Sequence, residues 1–303
     1  MSKTLYVCLF LFILHVPFFV AQNQQIDFNI ANDKFFLTDR YFTSGVYVSY
    51  KRKINGPSIF KKQANHVLQL NVTLGNEVYT PQDISSFRSF EFDRPYAGWF
   101  SLNLELGKIA PQSAWFFTLE TGITGQESLA GKSQIKFHEL FNIQSRPTWV
   151  DEIAFSWLTN VKFLQVNNFI LNKKNEIQNH ANFAFGSKDV YVQNKVYYFL
   201  GNFNNFQNSS RLSNAIGSID KELFCFASIG YKYVLYNALI QGNLLDNDDP
   251  FTTQIVPDVF LFSIGSGLKI NKNKFRLELF YNTKETPDSR SHAYGSLAYG
   301  FVF

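Results

Sequence analysis

Apolar and polar residues alternate along most of the chain beyond residue 25. In 100–106 every second residue is apolar, and the same period of two recurs in 68–74 and 275–281. Successive side chains of a β-strand point to opposite faces, so this period indicates strands with one apolar and one polar face. The pattern predicts twelve strands, at 26–33, 42–54, 65–78, 95–108, 112–124, 152–171, 176–187, 189–201, 222–242, 256–270, 273–284 and 292–303.

The number and length of these strands favour a membrane barrel. A tilted strand needs about 9 to 11 residues to cross a bilayer, and several predicted strands are longer. The last strand ends on Phe303, which resembles the C-terminal signature of bacterial outer-membrane barrels, and the short links 109–111 and 271–272 are typical of periplasmic turns. We therefore predict an all-β fold, a twelve-stranded antiparallel transmembrane β-barrel, over a secreted soluble β-sandwich.

The N-terminal segment has the features of a secretory signal. Lys3 precedes an apolar run over 5–21, and a polar run follows directly at 22–25. This pattern predicts a signal peptide at 1–21 and a barrel domain at 22–303. No other stretch is apolar enough for a membrane helix. Cleavage would leave Cys225 as the one cysteine, so no intrachain disulfide is expected.

Composition excludes several classes of protein. The 303 residues include 34 Phe, 15 Tyr and 4 Trp, with 17% charged residues and a net charge of +4. This is too aromatic and too weakly charged for a disordered chain, and too nearly neutral for a nucleic-acid binder. The mean hydropathy of −0.12 excludes a bundle of membrane helices. We interpret the rings as a lipid-facing surface with interfacial girdles, and we expect Trp99 in a girdle.

The residues suited to chemistry fall in three links, 34–41, 79–94 and 125–151. If the N-terminus starts in the periplasm, all three lie on the outer rim and can meet there. Beside the first link, Asn32 and Asp33 offer oxygen atoms that could orient a substrate or bind a hard cation such as calcium. The alternative is ordinary turn chemistry.

The other two links carry further candidates. Arg94 could pair with Asp93 or hold a phosphate, or the segment could simply be a proline-stiffened loop. In 131–141 the period becomes helical, so Gln134 and His138, at i and i+4, share one face of a short helix. A histidine there could act as a general base, or could be an ordinary surface residue.

Taken together, these motifs resemble the outer-membrane lipid A 3′-O-deacylase family. The ordered set spans the chain beyond the signal peptide, and it consists of Asn32-Asp33, 41–45, 79–81, 93–99, Gln134-x-x-x-His138, 147–149, Gln241-Gly242 and the terminal strand. The resemblance implies a twelve-stranded barrel in the outer membrane. It also implies removal of the 3′-linked acyloxyacyl chain of lipid A, with calcium as cofactor.

The resemblance also implies roles for individual residues. His138 would activate a water for attack on the ester, and Asp33 would ligate calcium, with Thr43 as a further ligand. Asn32, Thr43 and Gln134 match active-site positions and would orient substrate, water or ion. From charge we expect Arg94 or Arg88 to hold a lipid A phosphate. The expected partners are lipopolysaccharide and membrane lipids, with no nucleic acid, for a monomeric chain.

One position departs from the family pattern. Gln144 stands where a Glu is expected between the histidine and Pro147. An amide is a weaker calcium ligand than a carboxylate, so either Glu139 or Glu127 compensates, or activity is reduced.

Two other functions remain open from the residues alone. One is an outer-membrane phospholipase with Ser44 or Ser133 as its nucleophile. The other is a passive pore, which bulky residues in the lumen would argue against.

Overall fold

The computed structural model describes residues 23–54, 65–218, 220–244 and 248–303, so the predicted signal peptide lies outside the described residues. It is a closed antiparallel barrel in which each strand pairs with its neighbours in sequence and β1 pairs with β12. The predicted fold class is confirmed. The strands are β1 (Gln24–Asn32), β2 (Tyr41–Ile54), β3 (Val67–Thr80), β4 (Ala97–Ile109), β5 (Ser113–Ile123), β6 (Trp157–Asn172), β7 (Asn175–Gly186), β8 (Asp189–Asn202), β9 (Glu222–Asn237), β10 (Asp258–Ile270), β11 (Asn273–Asn282) and β12 (His292–Val302).

Two helices interrupt the strands. α1 (Ala130–Leu140) lies between β5 and β6, as the change of period predicted. The prediction of one strand through 222–242 was too long, since β9 ends at Asn237 and α2 (Ala238–Gln241) follows. Asn237 caps this helix by accepting a hydrogen bond from the Leu239 N–H, a frequent way to begin a helix. No helix in the described parts of the chain is long and apolar enough to cross a membrane.

The alternation sorts side chains between the outer surface and the lumen. In β5, Phe117 and Leu119 are exposed, while Phe116, Thr118 and Glu120, which alternate with them, are buried. The same rule corrects one expectation. Trp99 is not in a lipid-facing girdle: it is 0% exposed and packs in the interior with Leu158. Its neighbour Phe100 faces outward, so Trp99 has to face inward.

The three chemically distinctive links meet at one end of the barrel, here called the outer end. Tyr96 donates a hydrogen bond to the Ile84 carbonyl (2.6 Å), which folds the 81–96 loop on itself. Ser89 donates to Asp151 in the loop after α1 (2.6 Å). Arg94 pairs with Glu285 in the 283–291 loop at 2.5 Å. These contacts make the outer end a packed platform.

At the opposite end the link between β8 and β9 folds into the lumen, which the alternation did not predict. Its residues 203–218 reach β2 and β4 across the barrel. Lys51 donates to the Ser213 carbonyl at 2.6 Å, and Asn214 donates to Glu105 at 2.8 Å. Arg211 is fully buried and pairs with Glu176. The segment 203–218, which we call the plug, therefore fills this end of the lumen.

Candidate active site

A groove of about 500 Å³ lies on the outside of the barrel, between α1 and the wall formed by β1 to β4. One side is apolar and includes Ile30, Val46, Phe100 and Phe137. Three of these are strand residues exposed toward the lipid side of the wall. The other side is polar, and its residues are Asn32, Lys34, Asp39, Thr43, Ser44, Asn76, Ser128, Ser133, Gln134 and His138.

The first outer loop brings Asn32 and Asp33 to the end of β1. Asn32 begins a 3-10 turn by accepting the Lys34 N–H at 2.7 Å. Asp33 is completely buried, and its Oδ2 accepts from the Thr38 hydroxyl and the Arg40 N–H, each at 2.8 Å. Among the described residues its Oδ1 has no hydrogen-bond partner. Burial raises the pKa of the Asp33 carboxyl to about 7, although these two hydrogen bonds oppose the rise.

Thr43 reaches the groove through an irregularity in β2. The pairing of β2 with β3 shifts register between Phe42 and Ser44, so Thr43 is the extra residue of a β-bulge. Bulges change the direction of a side chain, and they are frequent next to active sites. The Thr43 hydroxyl shares a 2.8 Å hydrogen bond with Thr80, and the residue lines the groove.

Helix α1 presents Gln134 and His138 to the barrel, both 4% exposed, on the one face that their spacing predicted. The helix stands close to the loop that follows it, because a Cβ at Gly131 would lie 2.9 Å from the Trp149 ring. The Trp149 indole N–H donates to Gln134 Oε1 at 2.8 Å. This bond fixes the Gln134 amide, whose Nε2 donates to Asp39 at 3.0 Å.

His138 is held at both ring nitrogens. Nδ1 lies 2.6 Å from the Ser145 carbonyl oxygen, which can only accept, so Nδ1 carries a proton. Nε2 lies 2.9 Å from Asp39 Oδ2, a distance at which the carboxylate can stabilise a positive charge on the ring. The arrangement therefore places a carboxylate beside the free nitrogen of the imidazole.

Asp39 is the site residue that sequence analysis missed. Its carboxylate contacts His138 and Gln134, and Lys34 Nζ lies 3.1 Å from Oδ2. In the sequence it stands in a short polar loop where Asp is an ordinary turn residue. The loop does carry two residues with positive φ, Leu37 (57°) and Tyr41 (59°), which cluster at functional sites but cannot be read from the sequence.

The two arginines expected to hold phosphate lie elsewhere. Arg94 is 1% exposed and faces the lumen, where it pairs with Glu285. Arg88 is exposed in the 81–96 loop and pairs with Glu91. Neither lines the groove.

The acids that were expected to compensate for Gln144 also lie apart from the groove. Glu139 and Gln144 line a separate depression on the other side of His138. Glu127 is exposed and lies near Glu152, a residue of the loop after α1 whose pKa is raised by burial and then by the charge of Glu127. The carboxylate that does contact His138 comes from Asp39.

A hard cation fits part of this donor set. Asp33 Oδ1 is a buried carboxylate oxygen without a partner, and Asn32 and Thr43 add an amide and a hydroxyl oxygen at the groove. Within the described ranges, no three His, Cys, Asp or Glu side chains are grouped as metal ligands. Any ion here would therefore need backbone carbonyls, water or substrate as further ligands.

The family model and one solved structure agree with this architecture. The family described as "Outer membrane protein LpxR" matches residues 5–303. The solved structure "LpxR from Salmonella typhimurium" superposes with a TM-score of 0.75 at 16% identity, covering 92% of this chain and 100% of that one. The β domain of the Bordetella autotransporter BrkA reaches a TM-score of 0.47 at 7% identity, covering 93% and 98%. The curated protein sequences contain no match.

The match to Salmonella LpxR establishes the fold, and the family match extends over nearly the whole chain. A twelve-stranded barrel in this family is located in the outer membrane, which it crosses many times. The chain belongs to the LpxR family of outer-membrane proteins.

Proposed function

We propose that this protein is a calcium-dependent lipid A 3′-O-deacylase, which hydrolyses the ester of the 3′-linked acyloxyacyl chain in the outer leaflet. The observation that best supports this proposal is the position of His138. It is a buried histidine, fixed at both nitrogens, beside a groove whose opposite wall is lipid-facing. A substrate that is itself a membrane lipid can enter such a groove from the side of the barrel.

The proposed base is His138 Nε2, since Nδ1 is already committed to the Ser145 carbonyl. In the neutral imidazole that carries its proton on Nδ1, Nε2 has a lone pair that can accept a proton from a water in the groove. That water attacks the ester carbonyl carbon, and its proton passes to Nε2. The proton then goes to the departing sugar oxygen, which leaves as a hydroxyl. Asp39 stabilises the imidazolium between these steps.

Asp33 is the proposed principal calcium ligand, with Thr43 and Asn32 beside it. Calcium bound there would polarise the ester carbonyl and stabilise the oxyanion. Gln134 orients the groups around it, because its amide is fixed between Trp149 and Asp39.

The apolar side of the groove suits an acyl chain. Ile30, Val46 and Phe100 are 55%, 49% and 40% exposed on adjacent strands, and Phe137 faces them from α1. A fatty chain laid along this surface keeps its contact with apolar atoms as it leaves the bilayer.

Mass spectrometry of lipid A tests the proposal. Cells that make the protein should lose the 3′ acyloxyacyl mass, and the purified protein should release the same acid in calcium but not in a chelator. His138→Ala should abolish release. His66→Ala, a histidine beyond the groove at the opposite end of β3, is the matched control and should remain active. Unchanged lipid A in cells with the folded protein would refute the assignment.

The alternative functions find less support. Ser44 and Ser133 line the groove, but Ser133 donates to the Ala130 carbonyl, and His138 has no serine hydroxyl partner within the described residues. A passive pore conflicts with the plug and with Trp99, Phe116 and Phe199, which are buried inside the wall.

A further inference from the structure

The outer half of the lumen holds a second cavity, of about 300 Å³, on the inner side of the wall from the groove. It lies between β8 and β9 on one side and β12 and β2 on the other. Tyr47 and Phe280 line it from below and also line a larger cavity of about 510 Å³ toward the plug. We call the upper space the outer lumenal cavity.

The outer lumenal cavity is strongly cationic. Its lining includes Arg94, Lys195, Lys232 and Arg290, against a single carboxylate, Glu285. Glu285 pairs with Arg94 at 2.5 Å. Throughout the described residues, no carboxylate pairs with Lys195, Lys232 or Arg290.

Aromatic rings contact three of these four cations. Lys232 Nζ lies 4.3 Å from the centroid of the Tyr191 ring, and Lys195 Nζ lies 4.8 Å from that of Tyr197. The Arg94 guanidinium lies 4.3 Å from the Tyr79 centroid, and its buried Nε has no hydrogen-bond partner in the described part of the chain. Cation–π contacts position a charge without neutralising it. The cavity therefore keeps an excess of positive charge.

The lower cavity shows that this excess is not a general property of the lumen. There Lys51 pairs with Asp27 at 2.8 Å and Arg276 pairs with Glu278 at 3.0 Å. Glu77, whose neighbours Tyr47 and Tyr79 line the upper cavity, already accepts hydrogen bonds from the phenols of both. An unpaired buried charge is expensive, and an anion placed among these cations would offset that expense.

We propose that the outer lumenal cavity binds a small, multiply charged phosphate anion. A phosphate matches the fork of Arg94 and the two ammonium groups of Lys195 and Lys232. Gln193 and Asn282 add amide groups to the lining. The volume lies at the lower end of the range for small-molecule sites, about 300 to 1,000 Å³, so it excludes a whole glycolipid. Arg290 is exposed in the 283–291 loop and extends the positive lining to the surface.

Calorimetry on the full-length barrel in zwitterionic detergent tests this site. The protein is titrated with inorganic phosphate and with glucosamine 1-phosphate, at constant ionic strength in chloride. We expect saturable binding of at least one. Tighter binding of inorganic phosphate identifies a free anion as the ligand, and tighter binding of the sugar phosphate identifies the phosphate of a glycan or lipid headgroup. Failure of both to bind would overturn the proposal.

Substitutions in the cavity and at a control site test whether phosphate binds in the outer lumenal cavity. Lys195→Gln/Lys232→Gln should weaken binding at least tenfold, because it removes two of the four cations. Lys173→Gln/Lys272→Gln removes the same charge from two exposed turns at the plug end and should bind like the unaltered protein. Heat-dependent electrophoretic mobility verifies that each barrel is folded. Should the lysine variant not fold, Gln193→Glu adds a repelling carboxylate at the lining and should also abolish binding. Equal affinity in a folded cavity variant and in the turn control would refute the site.

Discussion

His138 and Asp39 approach each other from separate outer loops, with Nε2 and Oδ2 2.9 Å apart. The contact pairs the proposed base with a carboxylate, although the chain carries Gln144 where the family resemblance led us to expect an acid. If Asp39 supplies that charge, replacing it should affect turnover more than substrate binding.

Asp39→Asn should lower kcat by about 10- to 100-fold, which is less than the roughly 10²- to 10⁴-fold that a general base itself contributes. KM should change little, because Asp39 contacts His138 and Gln134 and lies apart from the apolar wall. The measurement is fatty-acid release from lipid A in mixed micelles. Asp83→Asn, at an exposed loop carboxylate, is the control. A normal kcat in the Asp39→Asn variant would show that Asp39 has only a structural role.

Gln144→Glu should leave kcat within about twofold. Gln144 is exposed and lines the depression behind His138, whereas Nε2 already faces Asp39. An exposed carboxylate in water exerts only a weak field. The same release assay measures this, and a tenfold gain would show that position 144 limits activity.

Asp33→Asn should abolish the response of activity to added calcium. The substitution keeps the size of the side chain but removes the charge of a buried carboxylate whose Oδ1 has no hydrogen-bond partner among the described residues. Calcium titration after chelator treatment, followed by both activity and thermal unfolding, measures the effect. The unaltered protein should gain activity and stability together. A calcium response that persists in Asp33→Asn would place the ion elsewhere.

The outer loops should also carry a pH-dependent stability. Burial, and then the nearby charge of Glu127, raise the pKa of Glu152 from its ordinary value of 4.5 to about 7. The folded state therefore binds this proton more tightly than the unfolded state. Stability from this group is full below pH 4.5 and declines as the pH rises to about 7. Glu152→Gln should flatten that decline in unfolding experiments, and an unchanged pH profile would contradict the assignment.

The plug should depend on its buried ion pair. Arg211→Met leaves Glu176 buried without a counter-charge, which typically destabilises a protein by about 3 to 5 kcal/mol. Urea unfolding measures this, and planar-bilayer conductance reports whether the lumen opens. Arg88→Met, which breaks the exposed pair with Glu91, should change stability by about 1 kcal/mol or less. Equal effects of the two substitutions would show that the plug does not need the pair.

Much of the fold could be predicted because alternation is a local property. The positions of Phe117 and Glu120 in their strand predict that they face opposite sides of the wall. The spacing of Gln134 and His138 predicts that they share one face of a helix. Asp39 could not be found this way, because its importance depends on a contact between loops. Residues 203–218 were equally hidden, since a plug is defined by the strands it reaches across the lumen. The expectation for Trp99 was wrong because it followed from composition, whereas the position of Trp99 in its strand determines which way its side chain faces.

The pairing of β1 with β12, which closes the barrel, also bears on the groove. Asn32 pairs with Gly295 at the β1–β12 seam, and Phe35 packs directly over that glycine. The polar end of the groove is thus anchored where the first and last strands join. Closure of the barrel therefore supports the polar end of the groove, although all the residues that line the groove lie within 30–138.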